Sequence, residues 1–283
     1  MRNILLSLTL LSSLVFANEL TQDTNKRIAD TKAQIEALQA TLKNLEASLP
    51  AQLEKEKQLA LAKKKEAQAL KMHAEFGFIN TKGNTDTLTY NLDTKIQKTF
   101  DKHQLTFLGD GEYASDSSIR TKNKYFLELD YGYKLDKSLY LEYIAGYKYD
   151  EFSGFDYQAY TGPGLKYKAL STDTQNLDLS SALLFSKDKK ESEADAYNYT
   201  SYRAKLEYSW QMLKNLKFEE TFTYRTDVSM LEDYFIYSKT AFISKISDIF
   251  SVSLSYKIDY INMAEVGKAK ADKTLSANLI ADF

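Results

Sequence analysis

The chain has 283 residues, a formal net charge of −2, and 13% aromatic content, with 21 Tyr and 15 Phe against one Trp. That length holds one large domain or two smaller ones, and the near-neutral charge gives no particular attraction for nucleic acid. The absence of Cys excludes a disulfide framework and a thiol nucleophile.

Residues 1–17, MRNILLSLTLLSSLVFA, open with Arg2, run apolar from Ile4 to Phe16, and end on Val15 and Ala17 as small residues. They read as a secretory signal peptide cleaved between Ala17 and Asn18, too short to span a membrane as a helix. The protein is therefore expected to be exported. No later run reaches the ~18 apolar residues of a membrane helix. A mean hydropathy of −0.44 suits a soluble periplasmic protein. It suits a membrane barrel equally, because a barrel carries polar residues at every second strand position.

Residues 18–71 are expected to form a periplasmic helical coiled-coil arm. Ile28, Ile35, Leu38, Leu42, Leu45 and Leu49 take a and d positions of a heptad, with Thr31 at one d site. Pro50 interrupts the pattern, and the stretch that follows favours helix through its Ala, Lys, Glu and Gln. The arm is either one long helix kinked at Pro50 or a hairpin folded there. Its leucine seam calls for a cover: a second copy, the segment beyond Pro50, or another envelope protein.

At Met72 the apolar period changes from about 3.5 to 2 and stays there to the end. One face carries Phe76 and Phe78, then Leu88, Tyr90 and Leu92, then Leu127, Leu129, Tyr131 and Tyr133. The pattern continues through Leu139, Leu141 and Tyr143, through Leu206, Tyr208 and Trp210, and through Val252, Leu254 and Tyr256. Long alternating segments with Tyr and Phe near their ends predict an all-β fold. The expected architecture is a transmembrane antiparallel up-and-down β-barrel of about 12 strands over residues 72–283.

Short links at 100–103, 135–138, 171–174, 213–215 and 247–248 alternate with longer polar stretches at 80–86, 114–122, 150–156, 186–196, 226–233 and 262–272. That alternation predicts short periplasmic turns and long extracellular loops, with the arm and the C-terminus periplasmic. The first long stretch, NTKGNTD, reads as a hairpin loop turned by Gly83 and Asn84. No helix follows it, so it lacks the helix N-terminus that would hold a phosphate.

GNTDT at 83–87 after an alternating strand, together with DEFSGFDY at 150–157, resembles the domain-of-unknown-function family 481, also described as salt-induced outer-membrane proteins. The resemblance runs from about Glu75 to Phe283 and implies an outer-membrane barrel of a Gram-negative bacterium without assigned chemistry. The last strand looks like an assembly-machinery recognition signal, with Leu275, Ala277 and Leu279 alternating outward to a terminal Phe283. It departs from the usual pattern at Ala281, where an aromatic is more common. Expected partners are outer-membrane lipid and lipopolysaccharide, the barrel-assembly machinery, and a second copy or periplasmic protein on the arm.

The alternate face supplies the candidate lumen: Glu128, Asp130, Glu142, Lys148, Lys166, Arg203, Lys205, Glu207, Arg225, Lys257 and Asp259. Both signs are interleaved, whereas an ion-selective pore would show a ring of one sign. A salt-bridge network that closes the lumen, or leaves a narrow wet path, fits better. Only two His residues exist, His73 and His103, both expected at the periplasmic side. A surface hydrolase needs its base near the loops, so catalysis, cofactors and metals are not expected. Asp150, Glu151 and Asp156 lack the regular spacing of a cation-binding loop. Glu220 falls on the lipid side between Phe218 and Phe222, which calls for either a strand bulge or a second protomer. The leading reading is a non-enzymatic outer-membrane barrel, either a narrow channel or an envelope-stress component. The alternative is a tether that anchors the periplasmic arm.

Overall fold

The computed structural model describes residues 26, 32–34, 36–59, 61, 70–82 and 86–283. The chain divides into two compact units, Met1–Glu66 and Ala67–Phe283. The Ala17–Asn18 cleavage position, Ile28, Thr31, Ile35 and the Gly83–Asn84 turn lie outside the described residues.

In the first unit, residues 36–59 are helical without a break at Pro50. The hairpin alternative is therefore wrong: strong helix formers on both sides carry the helix past the one missing N–H. Leu38, Leu42, Leu45 and Leu49 are exposed. An exposed leucine stripe on a helix is all that the coiled-coil expectation receives.

The second unit is a closed antiparallel barrel of twelve strands, each bonded to its neighbours in sequence, with β1 meeting β12. The strands are β1 (Leu70–Thr81), β2 (Thr87–Phe100), β3 (His103–Asp116), β4 (Ile119–Lys134), β5 (Leu139–Asp150), β6 (Phe155–Ser171), β7 (Gln175–Lys190), β8 (Tyr197–Leu213), β9 (Leu216–Asp227), β10 (Tyr234–Lys245), β11 (Phe250–Ile261) and β12 (Ala271–Asp282). Among the described residues no helix is long and apolar enough to cross a membrane, which says nothing against crossing by strands.

The short links fall where expected, but one long loop does not exist. β3 runs to Asp116 and β4 starts at Ile119, so the 114–122 stretch is a two-residue hairpin at Ser117 and Ser118. Both residues take positive φ (51° and 67°), the backbone of a turn that matches strand twist. A register shift between Ala114 and Ser115 absorbs the extra residue. Likewise β7 extends to Lys190, and the 186–196 stretch shrinks to a loop at 191–196. In both places polar residues of loop-like composition continue a lumen-facing strand register.

The outward face is apolar, with Phe76, Leu92, Leu127, Leu141, Leu183, Leu254 and Leu279 all exposed. Aromatic belts mark its two ends. Toward the short turns, Phe100, His103 and Tyr131 cluster, with the His103 ring 5.4 Å from Phe100 and its Nδ1 2.6 Å from the Tyr131 hydroxyl. Toward the loops, Tyr125, Tyr147, Tyr149 and Tyr157 stack in series. Glu220 stays on the outward face, since β9 and β10 keep one continuous register with Thr240 opposite Glu220. The bulge alternative is thereby excluded. The Ser238 hydroxyl (2.9 Å) and the Thr240 hydroxyl donate to its carboxylate, which lowers the cost of a carboxylate among apolar neighbours.

Candidate functional site

The lumen is where chemistry-bearing side chains converge. Alternation along every strand sends them inward, and a cavity of about 490 Å³ lies among them. The inward polar side chains form three clusters of ion pairs, and Glu75, Asp93, Glu128, Arg203, Arg225 and Asp259 among them line that cavity.

The first cluster joins β1, β2 and β3 to β10 and β11. Lys257, 2% exposed, reaches Asp93 (3.1 Å), Glu112 (3.4 Å) and Asp110. Lys239 lies 2.7 Å from Glu75 and 3.1 Å from Asp93. On β11, Asp259 collects Lys124 (2.6 Å) from β4 and Lys148 (2.9 Å) from β5. The second cluster centres on Glu128 of β4, 1% exposed. It accepts from Arg203 of β8 at 2.8 Å and from the Tyr160 hydroxyl of β6, with Lys205 at 3.9 Å. Lys166 pairs with Glu142 at 2.6 Å. The third lies nearer the loops: Asp188 accepts from Gln158 (2.8 Å) and Tyr199 (2.9 Å), with Arg225 at 3.6 Å. The Arg225 guanidinium also sits 4.7 Å from the Phe235 ring centre and 5.1 Å from that of Tyr160, within cation–π range.

Two contacts cross the whole lumen. Lys95 of β2 meets Glu207 of β8 at 3.5 Å, and Lys148 of β5 meets Asp259 of β11 at 2.9 Å. Each pair joins strands on opposite sides of the ring.

All eleven predicted lumen charges therefore point inward. Ten of them have a partner of opposite charge, and Asp130 is the exception, with its Oδ1 buried and unbonded. Sequence reasoning missed Asp188 and Lys122, which it placed in loops; Lys122 in fact binds Glu112 at 3.0 Å. It also missed the apolar part of the lumen. Ile144, Ala182 and Leu184 form one buried inward cluster with Tyr160 against it, and Ala241, Ile243 and Ile280 form another. Leu184 and Ile280 alternate in phase with polar neighbours, a signal that was present but outweighed by the charges around them. Tyr160 has a direct signal at Gly146. A Cβ there would lie 2.3–2.5 Å from the Tyr160 ring, so the glycine makes room for the aromatic.

His73 is on the lumen face beside the β1–β12 closure, its Nδ1 2.7 Å from Asp282. His103 is on the outer belt. Around the β5–β6 hairpin, Asp150 at the end of β5 accepts from the Phe152 N–H (3.1 Å), Glu151 pairs with Arg120 (2.7 Å), and Asp156 on β6 lies 3.5 Å from Lys189. The three acids are engaged separately. Leu275, Ala277 and Leu279 share the outward register of β12, and Phe283, one residue beyond its end, is exposed.

Residues 74–283 match the family described as protein of unknown function, DUF481. The chain belongs to that family. A comparison with curated proteins finds no match. Among solved structures, the DUF481 chain is similar to the NanC porin at 11% identity, covering 75% of this chain and 98% of that one, with a TM-score of 0.47. It is similar to the KdgM porin at 12% identity, with coverage of 76% and 98% and a TM-score of 0.41. An outer-membrane channel from Pseudomonas putida F1 shows 10% identity, coverage of 76% and 95%, and a TM-score of 0.47. These likenesses are too distant to transfer a substrate or an activity.

Proposed function

We propose that this chain is an outer-membrane barrel without enzymatic activity whose lumen, held closed by ion pairs, leaves only a narrow wet path for small solutes. The observation that carries the reading is the pair of contacts that span the lumen, Lys95–Glu207 and Lys148–Asp259. Interleaved charges of both signs pair with each other rather than presenting a field that selects one ion. The outward apolar band between two aromatic belts supports insertion in lipid. The short-turn end, with the arm and the C-terminus, faces the periplasm in this reading, and Leu275, Ala277, Leu279 and Phe283 serve the assembly machinery.

Two measurements test it. Single-channel recording of the purified full chain should give small, infrequent openings; a steady conductance of open-porin size would refute the closed lumen. On intact cells, an impermeant thiol reagent should label Ser192→Cys in the β7–β8 loop and spare Ser138→Cys in the β4–β5 turn. The opposite pattern would invert the topology.

A second reading, a tether that anchors the arm, is favoured by the exposed Leu38, Leu42, Leu45 and Leu49 stripe. Uncovered leucines on one helix face seek a partner.

A further inference from the structure

The closure of the barrel is zipped over one half only. β1 and β12 pair from His73 opposite Asp282 to Phe76 opposite Leu279. Reciprocal backbone bonds between Met72 and Phe283 (2.9 and 2.8 Å) complete the short-turn end. Continued at the same register, Gly77 would face Asn278 and Thr81 would face Thr274, yet the ladder stops at Phe76. Each strand is fully bonded on its other edge: β1 pairs β2 from Leu70 to Thr81, and β12 pairs β11 from Ala271 to Ala281. The gap therefore belongs to this seam and not to either strand.

A polar latch sits where the ladder ends. The Asn278 amide donates to Glu75 of β1 and accepts from Asn91 of β2 at 3.0 Å. Both amides occupy the space over Gly77, where a Cβ would lie 2.2 Å from Asn278 Oδ1 and 2.3 Å from Asn91 Oδ1. Beyond the latch the strands have different partners. The Thr274 hydroxyl of β12 accepts from Lys122 at 2.7 Å and lies 3.3 Å from Glu112, so it engages β4 and β3 instead of β1. Ile79, on the lumen register of β1, is 59% exposed. Phe78 and Leu275 flank the gap on the outside, exposed like the rest of the lipid-facing band.

Rows of unpaired N–H and C=O groups are costly in hydrocarbon, so a spanning barrel ordinarily pairs all of them. We propose that the loop-side half of the β1–β12 seam is a lateral gate. It is held at its lower end by the Asn278 latch, and it opens the lumen sideways into the surrounding lipid. The gate alternates between a zipped state, in which Gly77–Thr81 and Thr274–Asn278 pair with each other, and the open state seen here.

The chain contains no Cys, so labelled pairs can be introduced on a clean background. In the full-length protein in liposomes, nitroxide pairs on Ala74→Cys/Ala281→Cys and on Phe78→Cys/Ala277→Cys report the two halves by pulsed dipolar spectroscopy. The first pair should give one narrow distance; the second should give a longer, multi-component distribution. The same narrow distance from both pairs would overturn the proposal. If the Phe78 variant fails to fold by heat-modifiable gel mobility, Asn80→Cys/Leu275→Cys samples the same half at the same register. Asn278→Ala should broaden the Ala74/Ala281 distance as the opening spreads downward. No change there would remove the latch from the mechanism.

Discussion

Lys95 Nζ on β2 lies 3.5 Å from Glu207 Oε1 on β8, the strand six places away in either direction around the ring. Lys205 reinforces the carboxylate at 3.5 Å from its other oxygen. Both Lys95 and Glu207 remain partly exposed, at 45% and 31% of their side-chain surface. The pair is therefore weak as a source of stability and effective as an obstruction. Glu207→Gln should raise single-channel conductance while lowering stability by no more than about 1 kcal/mol. Unchanged conductance in planar bilayers would show that the path runs elsewhere.

Glu128 presents the opposite case. It is buried with Arg203 and Tyr160, and its removal leaves a guanidinium without a counter-charge. Glu128→Ala should destabilise the barrel by roughly 3–5 kcal/mol. Glu128→Gln should cost less, since its amide oxygen still accepts from Tyr160. Urea unfolding in lipid vesicles separates the two variants, and equal midpoints would contradict this account.

Two glycines give a controlled pair. Gly146→Ala drives a methyl into the Tyr160 ring and displaces the hydroxyl from Glu128, so a loss of about 1–3 kcal/mol is expected. Gly111, in β3, has nothing within 4 Å of a built Cβ, and Gly111→Ala should stay within about 0.5 kcal/mol of the parent. Urea midpoints in the same vesicles test the contrast.

Asp136 organises the β4–β5 turn. Its carboxylate accepts from the backbone N–H groups of Ser138 (2.7 Å) and Leu139 (2.8 Å), and these bonds hold its pKa below the ordinary value. A depressed carboxylate pKa stabilises the fold above the unfolded value of about 3.9. That contribution disappears as pH falls through the folded value. Amide protection at Ser138 and Leu139 should therefore decline in acid, and Asp136→Asn should abolish the pH dependence. Parallel acid profiles for parent and variant would be the contrary result.

On the helical arm, Leu38→Asp with Leu42→Asp should abolish any self-association of the full chain while leaving barrel folding intact. Each buried Leu is worth roughly 1.5–3 kcal/mol to such a contact, and the barrel strands begin only at Leu70, outside the substituted stretch. Sedimentation of the two proteins in detergent decides it; equal association states would make the arm a spacer.

The sequence by itself determined the period, and with it a great deal. Alternation at 2 from Met72 onward assigns Leu127 and Leu129 outward and Glu128 and Asp130 inward, because side chains on a strand must alternate. The turn residues then set the number of strands. Local pattern misread only the polar ends of strands: Lys122 and Asp188 look like loop residues, and the lumen that receives them is invisible along the chain. Which charges meet was decided by the tertiary structure alone. Lys148 and Asp259 are 111 residues apart, and they touch because ring order, register and the narrow lumen bring β5 against β11. The half-zipped seam has the same origin. Nothing in Gly77 or Asn278 alone stops a ladder; the Asn278 amide lying over Gly77, with Thr274 held by Lys122 and Glu112, exists only once the barrel has closed.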